Sequence, residues 1–292
     1  MKILITGKSG QLGRALVNEL RAGQDVTATD RDELDIRDKE TVNKLVTTVA
    51  PDVIINAAAY TSVDLAESEI PNCWSVNAKG PDHLARAAAQ KGAQLIHFST
   101  DYVFDGRANI PYSESSKTAP LSTYGLSKLR GDEAVLNSGA SAIVVRTGWL
   151  YSGHGPSFVQ TILHKLMNGD NLRVINDQFG TPTSAEFLSH VVNCLIPHLP
   201  PIDHPSGQIL NVSCKGSASW FDFASHCKEL ASKKMPSLNS LTLCPINAAE
   251  YQSAAKRPPQ SCLCTSLLEK KYGITPPDWR EELDRVFSGI NL

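Results

Sequence analysis

Tyr124 and Lys128 stand four residues apart in "TYGLSKLRGDEA", so a helix through that run puts a phenol and an ammonium on one face. A phenol titrating near ~10 is a poor acid–base group at neutral pH. An ammonium beside it favours the phenolate and brings the group toward its working range. Upstream, the apolar run "QLIHF" ends in Ser99-Thr100. A hydroxyl at such a strand end can hold a carbonyl oxygen between itself and the tyrosine. A Tyr-x-x-x-Lys pair alone is common by chance and fits any amphipathic helix. Joined to a strand-end hydroxyl, it describes a site that protonates a carbonyl oxygen while hydride reaches the carbon.

Hydride needs a carrier, and "ITGKSGQLG" near the N-terminus is built to hold one. Gly7, Gly10 and Gly13 fall at intervals of three. Lys8-Ser9 after Gly7 imitates the end of a triphosphate-binding loop, but that loop requires a glycine five positions before Gly7, where Lys2 stands. What remains is a buried strand (Met1–Ile5), a tight turn and a helix from about Gln11 with Leu12, Leu16 and Leu20 on one stripe. The free N–H groups of a helix start suit a pyrophosphate. The spacing is G-x-x-G-x-x-G, which departs from the usual dinucleotide fingerprint and is a weak signal by itself. Asp30, at the end of a second strand, sits where an acid can bond the ribose 2′-hydroxyl of NAD. Arg31 beside it can pair with a 2′-phosphate instead. The two can also simply pair with each other, so NADH and NADPH both stay open. After a third strand, the small side chains of "NAAAYT" let backbone approach the cofactor closely.

The elements that must position these groups alternate. Strands are expected at Asp25–Thr29, Asp52–Ala57, Gln94–Phe98 and through "SAIVVRT". Helices are expected from about Asp38, with Val42, Leu45, Val46 and Val49 inward, through "GPDHLARAAAQKG", and through "LSTYGLSKLRGDEAVLNSG". That rhythm predicts an α/β fold with a parallel sheet covered on both faces. Right-handed crossovers then gather the loops after the strands on one edge, where ligand binds. Beyond Gly148 prolines cluster ("IPHLPPIDHP", "KRPPQ", "ITPPDW") and the rhythm breaks. The expected division is 1–148, dinucleotide-binding, and 149–292, mainly substrate-binding and packed over that edge, with parts free to rejoin the sheet.

Composition narrows the class further. Of the 292 residues 20% are charged and the formal net charge is -2, which points to neither nucleic acid nor a membrane surface. No apolar run approaches a transmembrane span, and a phosphate loop starting at residue 7 leaves no room for a signal peptide. The seven cysteines are scattered and odd in number. The one close pair, Cys262 and Cys264, lacks the partners a zinc site needs. Reduced thiols in a cytoplasmic protein are the expectation, with no metal ligands among the dispersed histidines.

Beyond single motifs, "ITGKSGQLG", "NAAAYTSVDLAESE", "FSTDYVFDG", "YGLSKLRGDEA", "RTGWLY" and "INDQFGTPTSAE" resemble the dTDP-4-dehydrorhamnose reductase family of extended short-chain dehydrogenases/reductases. The resemblance continues through "SWFDFA", "KRPPQSCL" and "YGITPPDWREEL", so it covers essentially the whole chain. It implies a Rossmann-type doubly wound sheet with a smaller C-terminal region, and NADPH- or NADH-dependent reduction of the 4-keto group of dTDP-6-deoxy-L-lyxo-4-hexulose to dTDP-L-rhamnose, a polysaccharide precursor. By position it makes Thr100, Tyr124 and Lys128 the catalytic trio. Gly10, Gln11 and Leu12, in the loop that Gly7 opens, would hold the pyrophosphate, Asp30 the adenosine ribose, and Asp35-Ile36 the adenine. Ala58, Ala59 and Thr61 would flank the cofactor. Asp101, Tyr102 and Trp149 would meet the sugar nucleotide, with Asp177 and Gln178 as polar contacts from a lid over the cleft. Trp149 can also be read as a core aromatic, but its place after a strand at the binding edge favours the ligand role.

One departure concerns assembly. Some relatives dimerise through magnesium held by glutamates, one of them early on the first helix. Here that stretch reads Arg14-Ala15, with no carboxylate before Glu19, so a monomer or a metal-free homodimer is expected. Two other readings remain open: a reductase or epimerase of another nucleotide-linked 4-keto sugar, and a non-catalytic regulator resembling the β subunit of methionine adenosyltransferase.

Overall fold

The computed structural model describes residues 1–290. At its centre is a six-stranded sheet. Five strands come from the alternating half: β1 (Lys2–Thr6), β2 (Asp25–Thr29), β3 (Val53–Asn56), β4 (Gln94–Thr100) and β5 (Ala142–Thr147). The sixth, Gly207–Asn211, returns from the far half to pair with β5. All pairings are parallel, and the spatial order is Gly207–Asn211, β5, β4, β3, β1, β2. The chain steps outward from β1 to β2, then returns to the other side of β1 for β3. The loops after β1 and β3 therefore diverge at their carboxyl ends and leave a crevice between them.

Helices cover both faces: α1 (Gln11–Leu20), α2 (Lys39–Val49), α3 (Ile70–Trp74), α4 (Gly80–Lys91) and α5 (Thr123–Leu136). Strand alternation divides the core between them. Ile3 and Ile5 of β1 join Leu12, Leu16 and Leu20 of α1 in one cluster. Leu4 joins Val42 and Val46 of α2 and Leu84 and Ala88 of α4 in the other. The helix Ala185–Leu195 packs on α1 and adds Leu188, Val191, Val192 and Leu195 to the first cluster. Residues on both sides of Gly148 thus share one core.

Most sequence expectations hold to within a residue or two. β2 spans the expected residues, β3 is one residue shorter at each end, and α2 starts after Asp38, whose carboxylate caps the N–H groups of Glu40 and Thr41. β4 runs on to Thr100 because Ser99 and Thr100 pair with Arg146 and Thr147 of β5. Helical structure at Ile70–Lys79, leading into α4 through a widened turn at Ser75–Lys79, was not legible. Its Pro71 reads as a breaker but sits in the first turn, where proline is tolerated.

Beyond β5 the chain makes short ladders: Leu150–Tyr151 with Thr183–Ser184, Leu172–Ile175 with Leu243–Ile246, and Phe179–Gly180 with Ala218–Ser219. They bring Trp149, Leu150 and Trp220 to the cleft that receives the ends of β1, β3 and β4.

Candidate active site

The crevice is a cleft of about 480 Å³. Its first wall is the glycine loop. Each glycine has a different reason to be there. Gly7 has φ +73°, and a Cβ on it would meet the Ala58 nitrogen at 2.8 Å; on Gly13 a Cβ would lie 2.0 Å from the Gly7 carbonyl oxygen. These two close the turn against β3 and α1. At Gly10 the nearest protein atom to a Cβ would be that same oxygen at 3.4 Å, so packing allows a side chain there. No side chain caps α1 and its first turn carries no acid. Its N–H groups at Gln11 and Leu12, both lining the cleft, remain available for an anion.

Lys8 and Ser9, the pair that imitates a triphosphate loop, are committed elsewhere. Lys8 Nζ bonds Glu33 at 2.6 Å. Asp30 accepts from the Ser9 N–H at 3.1 Å and from its hydroxyl. Asp30 therefore braces the loop at the end of β2. Asp35 is held by Arg37 at 2.5 Å, which keeps its carboxyl below the usual range, while Arg31, 72% exposed, reaches it only at 3.7 Å. Ile36 is buried under α4, where a Cβ on Gly80 would strike it. Of the small residues after β3, Ala59 and Thr61 line the cleft and Ala58 backs Gly7.

The second wall carries the Thr100, Tyr124 and Lys128 side chains. α5 starts at Thr123 because Ser122 caps it, its hydroxyl accepting from the Gly125 N–H at 3.1 Å. A Cβ on Gly125 would lie 2.2 Å from the Tyr102 carbonyl oxygen. That close approach sets the Tyr124 and Tyr102 rings edge to face, 6.1 Å apart. Thr100 accepts from the Tyr102 N–H at 3.2 Å and donates to Asp101 at 3.0 Å. Thr100, Asp101, Tyr102, Tyr124 and Lys128 all line the cleft.

The electrostatics differ from the sequence expectation in one respect. Lys128 is 2% exposed and donates to the Phe98 carbonyl at 2.5 Å. Burial lowers its pKa to about 8, with the nearby Asp132 carboxylate the larger of the effects working the other way. Tyr124 is pushed up, not down: burial dominates, and the Thr100 hydroxyl opposes it only in part. The buried carboxyl of Asp101 is raised to about 6, with hydrogen bonds from Ser261 and Thr100 working the other way. A Cβ on Gly148 would lie 2.6 Å from the Asp101 carboxyl carbon.

Several neighbours were not picked out in the sequence. Asp132, one turn beyond Lys128, is buried against Arg146 of β5 at 3.2 Å. The i, i+4 step from Lys128 was the available signal. Arg257 of "KRPPQ" clasps Asp64 after β3 at 2.6 Å, and the adjoining Pro258 and Pro259 pack on Gly106. Trp220 lines the cleft with Trp149. Asp177 and Gln178 are not among the lining residues: exposed Asp177 accepts from the Ala248 N–H at 2.7 Å, and Gln178 is buried. Cys262 and Cys264 bond serine hydroxyls, and all seven cysteines are free.

The glycine loop and the Thr100, Tyr124 and Lys128 side chains thus meet in one cleft at one sheet edge. The family model for the RmlD substrate binding domain matches residues 1–291. The chain belongs to that family. This RmlD-family chain is 37% identical to dTDP-4-dehydrorhamnose reductase of Sinorhizobium fredii over 295 residues, covering 100% of this chain and 98% of the relative. A solved dTDP-4-dehydrorhamnose reductase from Clostridium acetobutylicum superposes with a TM-score of 0.90 at 38% identity, covering 99% of both chains. The enzyme from Bacillus anthracis, solved in complex with NADP, gives 0.89 at 34% identity and 98% coverage of both. Among the described residues, no helix of this RmlD-family chain is long and apolar enough to cross a membrane.

Proposed function

We propose that this protein is an NAD(P)H-dependent reductase that converts the 4-keto group of a dTDP-linked 6-deoxy-4-hexulose to the alcohol of dTDP-L-rhamnose. The observation that carries the reading is the meeting of Thr100, Tyr124 and Lys128 with an uncapped helix start in one cleft, in a chain matched end to end by reductases of that name. A reduced nicotinamide supplies the hydride. Gly10, Gln11 and Leu12 hold its pyrophosphate on the α1 dipole. As negative charge builds on the carbonyl oxygen, Tyr124 donates its proton, Thr100 fixes the oxygen, and the Lys128 charge stabilises the developing anion. Asp101, Tyr102 and Trp149 face the sugar. The first 148 residues chiefly bind cofactor and the rest chiefly substrate. The deciding assay follows NADH or NADPH oxidation with the dTDP-linked keto sugar beside its UDP-linked analogue. No oxidation with the dTDP sugar overturns the reading.

Both cofactors are expected to work. Asp30 offers an acceptor to a ribose hydroxyl, and Arg31, loosely paired and exposed, offers a charge to a 2′-phosphate. Arg31→Ala therefore weakens NADPH about fivefold, the size of a solvent-exposed ion pair, and leaves NADH unchanged. Fluorescence titration with each cofactor checks this; equal losses remove the role given to Arg31.

Assembly through a glutamate-held ion does not fit the residues beside α1. Ala15 supplies no donor to the hollow it shares with Glu19, Glu186 and Glu282, and the Glu282 carboxylate is taken by Ser184 and Arg285. Turnover and sedimentation are expected to be indifferent to EDTA and magnesium. A dimer that chelation splits into monomers contradicts this.

A further inference from the structure

Trp149 has φ +47°, a left-handed conformation that a bulky side chain adopts only when its surroundings enforce it. Those surroundings are specific. The Trp220 ring lies 3.5 Å from that of Trp149, the two planes 5° apart. Gly180 approaches so closely that a Cβ on it would stand 2.3 Å from Cε2 and Nε1 of the Trp149 indole. The same short ladder delivers both neighbours: Gly180 pairs with Ala218 and Phe179 with Ser219, and Ser219 caps the helix whose first residue is Trp220. Trp220 is backed by Phe158 at 4.7 Å. The Trp149 carbonyl accepts from the Thr183 N–H at 3.2 Å, which pins the strained backbone as well. Trp149 is 9% exposed and belongs to the main core cluster, and both indoles also line the cleft.

We propose that Trp220 and Gly180 form a clamp that holds the Trp149 indole as the sugar-facing wall of the cleft, which makes Trp220 a positioning residue for the nucleotide-linked hexose. The inference rests on the cleft being a sugar-nucleotide site. The C–H faces of a hexose pack against rigid aromatic surface, and a wall already fixed loses little entropy on binding. The cofactor's pyrophosphate is held at the α1 start, so a loosened wall weakens sugar binding and spares cofactor binding.

The test uses the full chain. Stacked indoles give an exciton couplet in far-ultraviolet circular dichroism, so the wild type is expected to show one and Trp220→Ala to lose it. By calorimetry with NADP⁺ present, at a temperature where the variant is folded, Trp220→Ala weakens dTDP-L-rhamnose binding about tenfold, the upper range for one aromatic pair, while the NADPH Kd stays close to wild type. Trp220→Phe recovers most of the affinity. Gly180→Ala, which keeps both tryptophans but crowds the indole, shifts the couplet and weakens the sugar nucleotide in the same direction. A wild type without the couplet, or one that does not bind dTDP-L-rhamnose, overturns the clamp. Unchanged affinity in Trp220→Ala, or equal losses for sugar nucleotide and NADPH, overturns the positioning role. A wild type that binds the sugar nucleotide and shows the couplet but does not oxidise NADPH with the keto sugar leaves the clamp standing and removes the reductase.

Discussion

Tyr124→Phe lowers kcat by roughly 10²–10⁴-fold, the range for a lost general acid, and leaves NADPH affinity nearly unchanged. The phenylalanine ring keeps the edge-to-face contact with Tyr102 and removes only the hydroxyl. The proposed reduction calls on that hydroxyl as an acid, so it must be protonated when the keto sugar arrives. Burial, which pushes the Tyr124 pKa up, secures this. A raised phenol still gives up its proton here, because the alkoxide formed by hydride attack is a stronger base than any phenolate. Thr100 beside it fixes the oxygen but has no ionisable proton to offer. Stopped-flow measurement of NADPH oxidation separates the chemical step from product release. A Tyr124→Phe variant turning over near the wild-type rate assigns the proton to another group and overturns the mechanism.

The sheet was legible because buried parallel strands leave continuous apolar runs, such as Val53 to Ile55, and the helices between them carry stripes. The trio was legible because its spacing is local: Tyr124 and Lys128 share one helix, and Thr100 ends the strand before it. What depends on distant parts of the chain was not. Gly207–Asn211 is five residues with Gly and Gln at its start, and nothing local says that it pairs with β5. Asp132 and Arg146 meet from a helix and a strand, and the Trp149–Trp220 stack joins residues on either side of an antiparallel ladder. The Tyr124 expectation erred for the same reason. Spacing places an ammonium nearby, but only the packed structure shows that Lys128 is engaged with the Phe98 carbonyl and that desolvation governs the phenol.

Lys128→Met is expected to give an enzyme that is more stable and nearly inactive. Burial lowers the Lys128 pKa from 10.5 to about 8, a difference of 2.5. At about 1.4 kcal/mol per unit, holding the charge in the folded state costs about 3 kcal/mol below pH 8. The sign follows from the proton balance. Between pH 8 and 10.5 the folded lysine gives up its proton before the unfolded one does, so the unfolded state binds more protons and stability rises with pH. Methionine fills similar volume without the charge. It leaves the Phe98 carbonyl without its donor, which returns about 1 kcal/mol. The net gain is about 2 kcal/mol at pH 7, seen in urea denaturation, and it vanishes as the pH nears 10. Turnover moves the other way: losing a charge aimed at the developing anion costs on the order of 10²–10³ in kcat. That pairing of outcomes separates a functional lysine from a structural one, because a structural ion pair would lose stability when truncated. A less stable Lys128→Met protein would mean that Asp132 and the Phe98 carbonyl offset the burial in full. In that case the charge serves the fold too, and the turnover of the variant decides its part in the reaction.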